Sequence, residues 1–203
     1  CLSAAKLFFA YGLGNALTFP MSVGASVILN SERPTPARMF DLMNRYNPSI
    51  FYGVPTLFAS MLNDETMKSE RGGKAFRTAL AIGADADKPK KVVKAKSVTL
   101  VAPNQGGFIG FIEARIIWHI GSFVRHHAIS TPDAPALRVG EEAMNYRTLD
   151  RRAAGCAVRL RDLGVAAGDR VMIILPNCVE WVVLYQGALQ AGAIPVPINP
   201  LLA

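Results

Sequence analysis

The stretch from Phe8 to Asn15, FFAYGLGN, sets two aromatic rings, a tyrosine and two glycines close together. Apolar walls and a close approach of the backbone, which glycine permits, are what a pocket for a flat ligand requires. The alternative is that Phe8, Phe9 and Tyr11 are core aromatics where a strand meets a helix. Composition by itself favours the core, so the residues alone leave both interpretations open.

Histidine and cysteine indicate little further chemistry. No carboxylate or cysteine lies at metal-ligand spacing from the histidines, and neighbouring histidines on a helix point in different directions, so we expect surface or core side chains. These histidines are His119, His126 and His127. The cysteines, Cys1, Cys156 and Cys178, are too few and too far apart for a disulfide framework, which favours a reducing compartment. The sequence therefore predicts no metal site and no catalytic residue.

The net charge of +7 comes mainly from one segment, since residues 66–96 carry nine basic and three acidic side chains. Its end, Lys88–Lys96, could neutralise phosphates as a nucleic-acid arm. A solvated linker is the favoured interpretation, because no aromatic residues alternate with the lysines to stack on bases. We therefore expect no nucleic-acid partner.

Membrane insertion is not expected either, because the sequence has no run of about 18 apolar residues and no secretory signal pattern at its start. The most apolar stretch is Phe108–Ile120, but Glu113 and Arg115 in its centre argue against a spanning helix. A buried helix or strand is favoured over a membrane anchor. The composition, 51% hydrophobic, indicates a globular protein, which we place in the cytoplasm.

Residues 1–65 alternate apolar runs with turn-forming residues, as an ordered scaffold requires. Leu2–Ala10 could form a short helix that Gly12 and Gly14 end. A further helix is expected with Thr35 as its N-cap and Pro36 at its first position. Strands are expected at Ser22–Asn30 and Ser49–Pro55, with another helix from Pro55. Strand and helix in alternation predict an α/β fold with a parallel sheet.

Residues 122–203 repeat this alternation. Helices are expected at Phe123–Ile129, from a Thr148 cap to Gly164, and at Glu180–Ala191. The middle helix is expected to bury one face, formed by Leu149, Ala153, Cys156 and Leu160. Ala136–Val139 and Ala143–Tyr146 predict a hairpin, Asp169–Asn177 predicts a strand buried on both faces, and Ala193–Pro200 predicts a short strand limited by its prolines.

Both halves resemble one superfamily, the adenylate-forming acyl-CoA and aryl-CoA ligases. KLFFAYGLGNALTFPMSVGA, with IFYGVPTLFASML, resembles the carboxylate-pocket region of benzoate-type CoA ligases. STPDAPAL, NYRTLDRRA, LGVAAGDRVMIILPNCVEW and GALQAGAIPVPINPLL resemble the opening part of fatty-acyl-CoA ligases. The resemblance implies an α/β fold made from fragments of the large N-terminal domain of that family, with parallel-sheet units flanked by helices.

The resemblance also implies site residues, and it favours the pocket interpretation of the opening stretch. Residues that would line the acyl pocket are Ala10, Tyr11 and Gly12, with Tyr52, Gly53 and Val54 opposite. FRTALAIGADA resembles the strand and turn that face the adenine and α-phosphate of the acyl-adenylate. The nucleotide-binding residues carried over from that turn are Gly83, Ala84 and Asp85.

The chemistry implied is conversion of a carboxylic acid and ATP to an acyl-adenylate and pyrophosphate, followed by thioester formation with CoA. Stabilising the phosphate requires a loop rich in glycine and hydroxyls, a lysine and Mg²⁺. The nearest string, GADADKPKKVV, has Asp85 and Asp87 where carboxylates would repel the nucleotide, and it lies downstream of the pocket segment instead of upstream. The family's small C-terminal domain with its catalytic lysine is also missing.

The order of the segments is a second departure, because in the family the counterpart of 122–203 precedes that of 1–65. We therefore expect two ligase fragments: 1–86 as a pocket-like segment, 87–121 as a junction and 122–203 as an N-terminal-like segment. The predicted function is an incomplete acid–thiol ligase that cannot adenylate alone and binds an aromatic or fatty carboxylic acid. The alternative is a non-catalytic acid-binding or interaction module, to which a partner chain could supply the missing loop.

Overall fold

The structure, a computed structural model, describes residues 1–64, 78–81 and 120–202, and these form two compact units. The first unit contains the described residues of 1–5, 32–64 and 78–81, and the second contains 6–31 and 120–202. In each unit helices accompany strand pairs that are mostly parallel, which confirms the predicted α/β class. Residues 82–119, with Lys88–Lys96 and most of the predicted junction, lie outside the described part.

Eight strands and seven α-helices lie in the described residues. The strands are β1 (Leu2–Ser3), β2 (Val27–Leu29), β3 (Ile50–Gly53), β4 (Thr78–Ala81), β5 (Pro135–Val139), β6 (Glu142–Asn145), β7 (Arg170–Ile173) and β8 (Ile194–Pro197). The helices are α1 (Ala10–Leu13), α2 (Phe19–Ser22), α3 (Pro36–Tyr46), α4 (Pro55–Leu62), α5 (Phe123–Ser130), α6 (Tyr146–Asp162) and α7 (Val179–Ala191). Short 3₁₀ turns cover Ile120–Ser122 and Pro200–Leu202.

The first unit is built on β3, which pairs in parallel with β1 on one side and with β4 on the other. The chain reaches β3 through α3, whose predicted start is confirmed: the Thr35 side chain accepts the amide N–H of Arg38 at 3.3 Å. The helix ends at Asn47, a residue in the left-handed region with φ of 46°, where asparagine is tolerated. This end turns the chain into β3.

The prediction for the first residues is wrong. Leu2–Ser3 is a strand, and the helical residues begin at Ala10 and continue through the glycines expected to end a helix. A π-helical turn, Gly14–Thr18, joins α1 to α2. Buried contacts of Ala16 and Leu17 in the second core stabilise a segment whose glycine content disfavours a helix locally.

The second unit has one hydrophobic core shared by residues distant in sequence. Leu7, Leu17 and Val27 come from the first part of the unit, and Trp181 and Leu149 come from the second. In this core β2 pairs in parallel with β5, which forms the predicted hairpin with β6. The Tyr146 hydroxyl donates to the carbonyl of Ala25 at 2.9 Å. Residues 6–31 and 120–202 therefore belong to one packing unit.

The predicted cap of α6 is wrong by three residues. Asn145, not Thr148, is the N-cap, since its Oδ1 accepts the amide N–H of Thr148 at 2.9 Å. The predicted buried face is also shifted, because Cys156 is only half-buried whereas Ala157 is buried. The helix starts one turn earlier than threonine alone suggested, and Tyr146 at its first position is fully buried.

The prediction that the strand at Asp169–Asn177 is buried on both faces is wrong. Strand β7 and strand β8 form a two-stranded parallel sheet, and Ile173 faces the core while Met172 is 62% exposed. Helix α7 packs against one face only. The apolar run of β7 thus reflects one buried face and one exposed apolar face.

Helices α6 and α7 pack closely at Gly187. A Cβ atom there would lie 2.7 Å from the Cβ and 2.8 Å from the Sγ of Cys156, and 3.1 Å from the carbonyl oxygen of Ala153. We expect Gly187→Ala to lower the free energy of unfolding by about 1–3 kcal/mol, because the helices must separate. The measurement is urea unfolding followed by circular dichroism.

Gly155 in α6 provides the matched control, because a Cβ there meets nothing within 4 Å. Gly155→Ala is expected to stabilise the protein by roughly 0.5–1 kcal/mol through helix propensity. Equal effects of the two substitutions would contradict the close packing of the helices.

Candidate functional site

The turn from β3 into α4 carries three of the predicted pocket residues, Tyr52, Gly53 and Val54. It lies at the carboxyl end of a parallel strand, where ligands bind in open α/β sheets. Val54 is the extended N-cap of α4 and provides no side-chain cap, and Pro55 at the first helical position has no N–H. The amides of Leu57 and Phe58 both donate to the carbonyl of Val54. The first turn of α4 is therefore closed by its own backbone, and among the described residues no side chain caps it by a hydrogen bond.

Packing explains the glycine in this turn. A Cβ on Gly53 would lie 2.9 Å from two ring atoms of Phe58, and the Phe58 ring packs edge-on against Phe51 with centroids 5.5 Å apart. Tyr52 is only 8% exposed, and burial raises the pKa of its phenol, which stays neutral near pH 7. Val54 is 38% exposed. Of the three residues, Val54 presents the most side-chain surface to a ligand.

The other predicted pocket residues, Ala10, Tyr11 and Gly12, form the start of α1. Ala10 is exposed, Tyr11 is half-buried and Gly12 is buried. The π-helical turn that follows is a feature often found at functional sites. These residues belong to the second unit, whereas Tyr52–Val54 belong to the first. That the two sets line one pocket therefore stays a prediction. Gly83, Ala84 and Asp85 lie outside the described residues.

The segment before α1 is tied down by two hydrogen bonds that sequence reasoning missed. The Lys6 ammonium donates to the carbonyl of Asn30 at 2.8 Å, and the amide N–H of Leu7 donates to Oδ1 of Asn177 at 3.0 Å. Asn177 is 2% exposed and follows β7. A single asparagine after a strand carries no local signal for a partner 170 residues away.

Asn177→Ala is expected to lower the free energy of unfolding by about 1–3 kcal/mol, because the buried amide of Leu7 loses its acceptor. Asn199→Ala is the matched control, since Asn199 accepts an amide N–H from Leu201 at an exposed position. Its effect should stay within about 0.5 kcal/mol. Urea unfolding of both variants measures the difference, and equal losses would argue against the role of Asn177.

Two adjacent histidines, His126 and His127, lie in α5, and His127 lies close to the point where the chain leaves α2. The His127 ring lies against Gly24 and packs on Tyr146 with centroids 5.1 Å apart, and its Nε2 is buried with no hydrogen-bond partner. Burial is the main cause that lowers the pKa of His127; a hydrogen bond to the Ser22 backbone opposes this, and His126 lowers the pKa further. His127 is half-buried, and this position is compatible with the expectation of a surface or core histidine.

Acidification is expected to destabilise the second unit through His127. Its pKa is lowered in the folded protein, so the unfolded chain binds the proton more tightly and stability falls as pH drops below about 6.5. His127→Phe should flatten this dependence, whereas His126→Gln should keep most of it. Urea midpoints at pH 8.0 and 5.5 measure the effect, and an unchanged pH dependence in His127→Phe would contradict it.

Metal or nucleotide ligands do not assemble among the described residues. No group of three or more histidine, cysteine, aspartate or glutamate side chains could hold a metal ion there. None of the three cysteines forms a disulfide, and burial raises the pKa of Cys156 and Cys178, which disfavours the reactive thiolate. In the same ranges, no helix is long and apolar enough to cross a bilayer.

Parallel strands with helical crossovers define an α/β protein, and in such proteins ligands bind at the carboxyl ends of the strands, where the turn Tyr52–Val54 lies. The sequence profile of the AMP-binding enzymes matches residues 1–100 and 124–203. The chain belongs to the AMP-binding enzyme family.

Relatives of this chain include ligases of aromatic and of fatty acids. Benzoate–CoA ligase of Thauera aromatica is 68% identical over 60 residues, which are 30% of this chain and 11% of the relative. Long-chain-fatty-acid–CoA ligase FadD13 of Mycobacterium tuberculosis H37Rv is 39% identical over 87 residues, 42% of this chain and 17% of the relative. Among solved structures, a benzoate CoA ligase from Burkholderia xenovorans LB400 is 51% identical, with 40% of this chain and 17% of that chain covered and a TM-score of 0.38.

The chain thus spans between a tenth and a fifth of the length of these relatives. Membership of the family is shown for most of the chain, and the resemblance to benzoate-type and fatty-acyl ligases is confirmed. The activities in the relatives' names describe those whole proteins.

Proposed function

We propose that the chain retains the acid-binding part of an acyl-CoA or aryl-CoA ligase and does not adenylate an acid alone. The observation that carries this proposal is the turn Tyr52–Val54, at the carboxyl end of β3 and before α4. The turn lies at the carboxyl end of a parallel strand, where ligands bind in open α/β sheets, and the apolar residues beside it suit an aromatic or fatty acid. Ala10, Tyr11 and Gly12 would complete the pocket.

One feature of the sequence supports the proposed absence of adenylation. The chain contains no loop rich in glycine and hydroxyls, and its nearest string carries Asp85 and Asp87 where phosphate would bind. ATP, Mg²⁺ and CoA are the cofactors that the ligases resembled would use. In this proposal Gly83, Ala84 and Asp85 would contact nucleotide only if a partner chain supplied the missing loop and lysine.

The domain organisation and location belong to the same proposal. We infer a pocket-like segment at 1–86, a junction at 87–121 and an N-terminal-like segment at 122–203, derived from two ligases. Three free thiols, none of them in a disulfide, support a reducing cytoplasm. A non-catalytic interaction module is the second candidate, and the exposed apolar face of the β7–β8 sheet favours it.

Calorimetric titration with benzoate and with decanoate, without ATP, tests the acid site. Saturable binding is expected, and Gly53→Val should weaken it at least tenfold because the added side chain meets the Phe58 ring. Gly155→Ala, which meets nothing within 4 Å, is the control and should bind as the parent does. Failure of both acids to bind would overturn the acid site.

Pyrophosphate release with ATP, Mg²⁺ and the same acids tests the second half of the proposal. No release above a protein-free blank is expected. Turnover would show that a segment without recognisable phosphate-loop chemistry performs this step, and the proposal of an inactive chain would then be wrong.

A further inference from the structure

The last residues of β3 present two different faces of the sheet. Side chains alternate along a strand, so Phe51 and Gly53 belong to one face and Tyr52 belongs to the other. The contacts agree with this alternation, because a Cβ atom on Gly53 would lie 3.4 Å from Cε1 of Phe51. A ligand on the Gly53 face therefore lies on the opposite side of the sheet from the Tyr52 ring.

The aromatic ring on the Gly53 face comes from Phe58 in α4. A Cβ atom on Gly53 would lie 2.9 Å from both Cε2 and Cζ of Phe58, so the tip of this ring rests on the backbone of Gly53. Phe51 is fully buried and packs against Phe58 with ring centroids 5.5 Å apart and planes 79° apart. This edge contact fixes the plane of the Phe58 ring beside the turn.

The Phe58 ring gives the turn a surface that distinguishes flat rings from saturated ones. Phe58 is half-buried, whereas Leu57 beside it in α4 is buried. An aromatic ring packs on a second aromatic ring in offset or edge-on geometry, and this contact is worth roughly 2- to 12-fold in affinity beyond the burial of apolar area. A purely aliphatic wall would provide only the burial.

We infer that Phe58 determines which acids the β3–α4 turn accepts. Its ring contacts the ring of a flat, aromatic carboxylic acid and gives no such contact to a saturated acid of the same size. The inference rests on the acid site of the proposed function, which it deepens by a residue that family resemblance did not supply.

The probes are benzoate and cyclohexanecarboxylate. Both acids have a six-membered carbon ring and a carboxylate that is ionised at neutral pH, so they differ mainly in aromaticity and flatness. Calorimetric titration of the full chain with each acid measures the ratio of their affinities. We expect benzoate to bind about three- to tenfold more tightly.

Phe58→Leu keeps an apolar side chain and removes the aromatic ring, so the affinity ratio should fall to about one. Phe58→Tyr keeps the ring and should keep the ratio. Phe19→Leu is the matched control, because the half-buried Phe19 ring rests in the same way on Gly14 in the second unit, with Cε2 2.9 Å from a Cβ built there. It should leave the ratio unchanged, and the urea midpoint of each variant shows whether the fold survives.

A measurement without substitution keeps the inference testable if Phe58→Leu unfolds. In the full chain saturated with benzoate, nuclear Overhauser effects should connect the benzoate ring protons with the ring protons of Phe58. Phe58→Tyr assigns that signal. Absence of the contact in the saturated chain would contradict the inference.

The outcomes separate this inference from the proposed function. Failure of both acids to bind the parent chain would overturn the acid site and the inference with it. Equal binding of the two acids, or an unchanged ratio in folded Phe58→Leu, would overturn the inference alone. A ratio that is lost in Tyr52→Leu and kept in Phe58→Leu would assign the selection to Tyr52 instead.

Discussion

Residues 122–203 expressed alone are expected to show no cooperative unfolding transition. Five apolar side chains from residues 6–31 complete the core of the second unit and are 2% exposed or less: Leu7, Leu17, Met21, Val27 and Leu29. Burying each of them contributes roughly 1.5–3 kcal/mol, and together this matches the whole stability of a typical domain. Circular dichroism during urea titration provides the measurement.

Addition of a synthetic peptide covering residues 1–31 is the matching control, and it should restore a cooperative transition to 122–203. Separate expression of 1–86 tests the other half. If both pieces unfold when separated, the two ligase fragments are not independent folding units, and the hypothesis is wrong in that respect. A cooperative transition of 122–203 alone would instead show that the shared core is dispensable.

Trp181→Ala is expected to lower the free energy of unfolding by about 3–5 kcal/mol. Trp181 is fully buried in the core of the second unit and stacks on Tyr185, with ring centroids 5.1 Å apart and planes 13° apart. Loss of the indole removes both the burial and the stacking. The measurement is the urea midpoint and slope of the full chain.

Trp181→Phe and Val158→Ala are the control variants for Trp181→Ala. The indole Nε1 has no partner among the described residues, so phenylalanine removes an unsatisfied donor while keeping a ring, and the loss should be much smaller than for alanine. Val158 is 55% exposed, and its truncation should change stability by less than about 0.5 kcal/mol. Losses of equal size at Val158 and Trp181 would contradict the core position of Trp181.

Local signals predicted most elements correctly. The threonine and proline before α3, the glycine after α7 and the prolines of β8 all act within a few residues, and the structure confirms each. The first helix could not be placed this way, because glycines that disfavour it locally are overruled by the burial of Leu17 and Met21 in the second core. Tertiary contacts decide where local propensity is weak.

One other error has the same origin. The continuous apolar run of β7 suggested a strand covered on both sides, but a run of apolar residues does not show how many layers surround it. The hydrogen bond from the amide of Leu7 to Asn177 could not be predicted, because the two residues are distant in sequence. The pocket residues came from family resemblance, and their role in binding an acid stays a prediction.

The discontinuous second unit has a consequence during synthesis. A ribosome releases residues 6–31 first, yet their core partners, which extend to Tyr185, follow about 150 residues later. At 5–20 residues per second this interval lasts roughly 8–30 s. Throughout it the side chains of Leu7, Leu17 and Val27 lack the core that buries them. The newborn chain must therefore be shielded from aggregation for much longer than a protein whose neighbouring segments pack as they emerge.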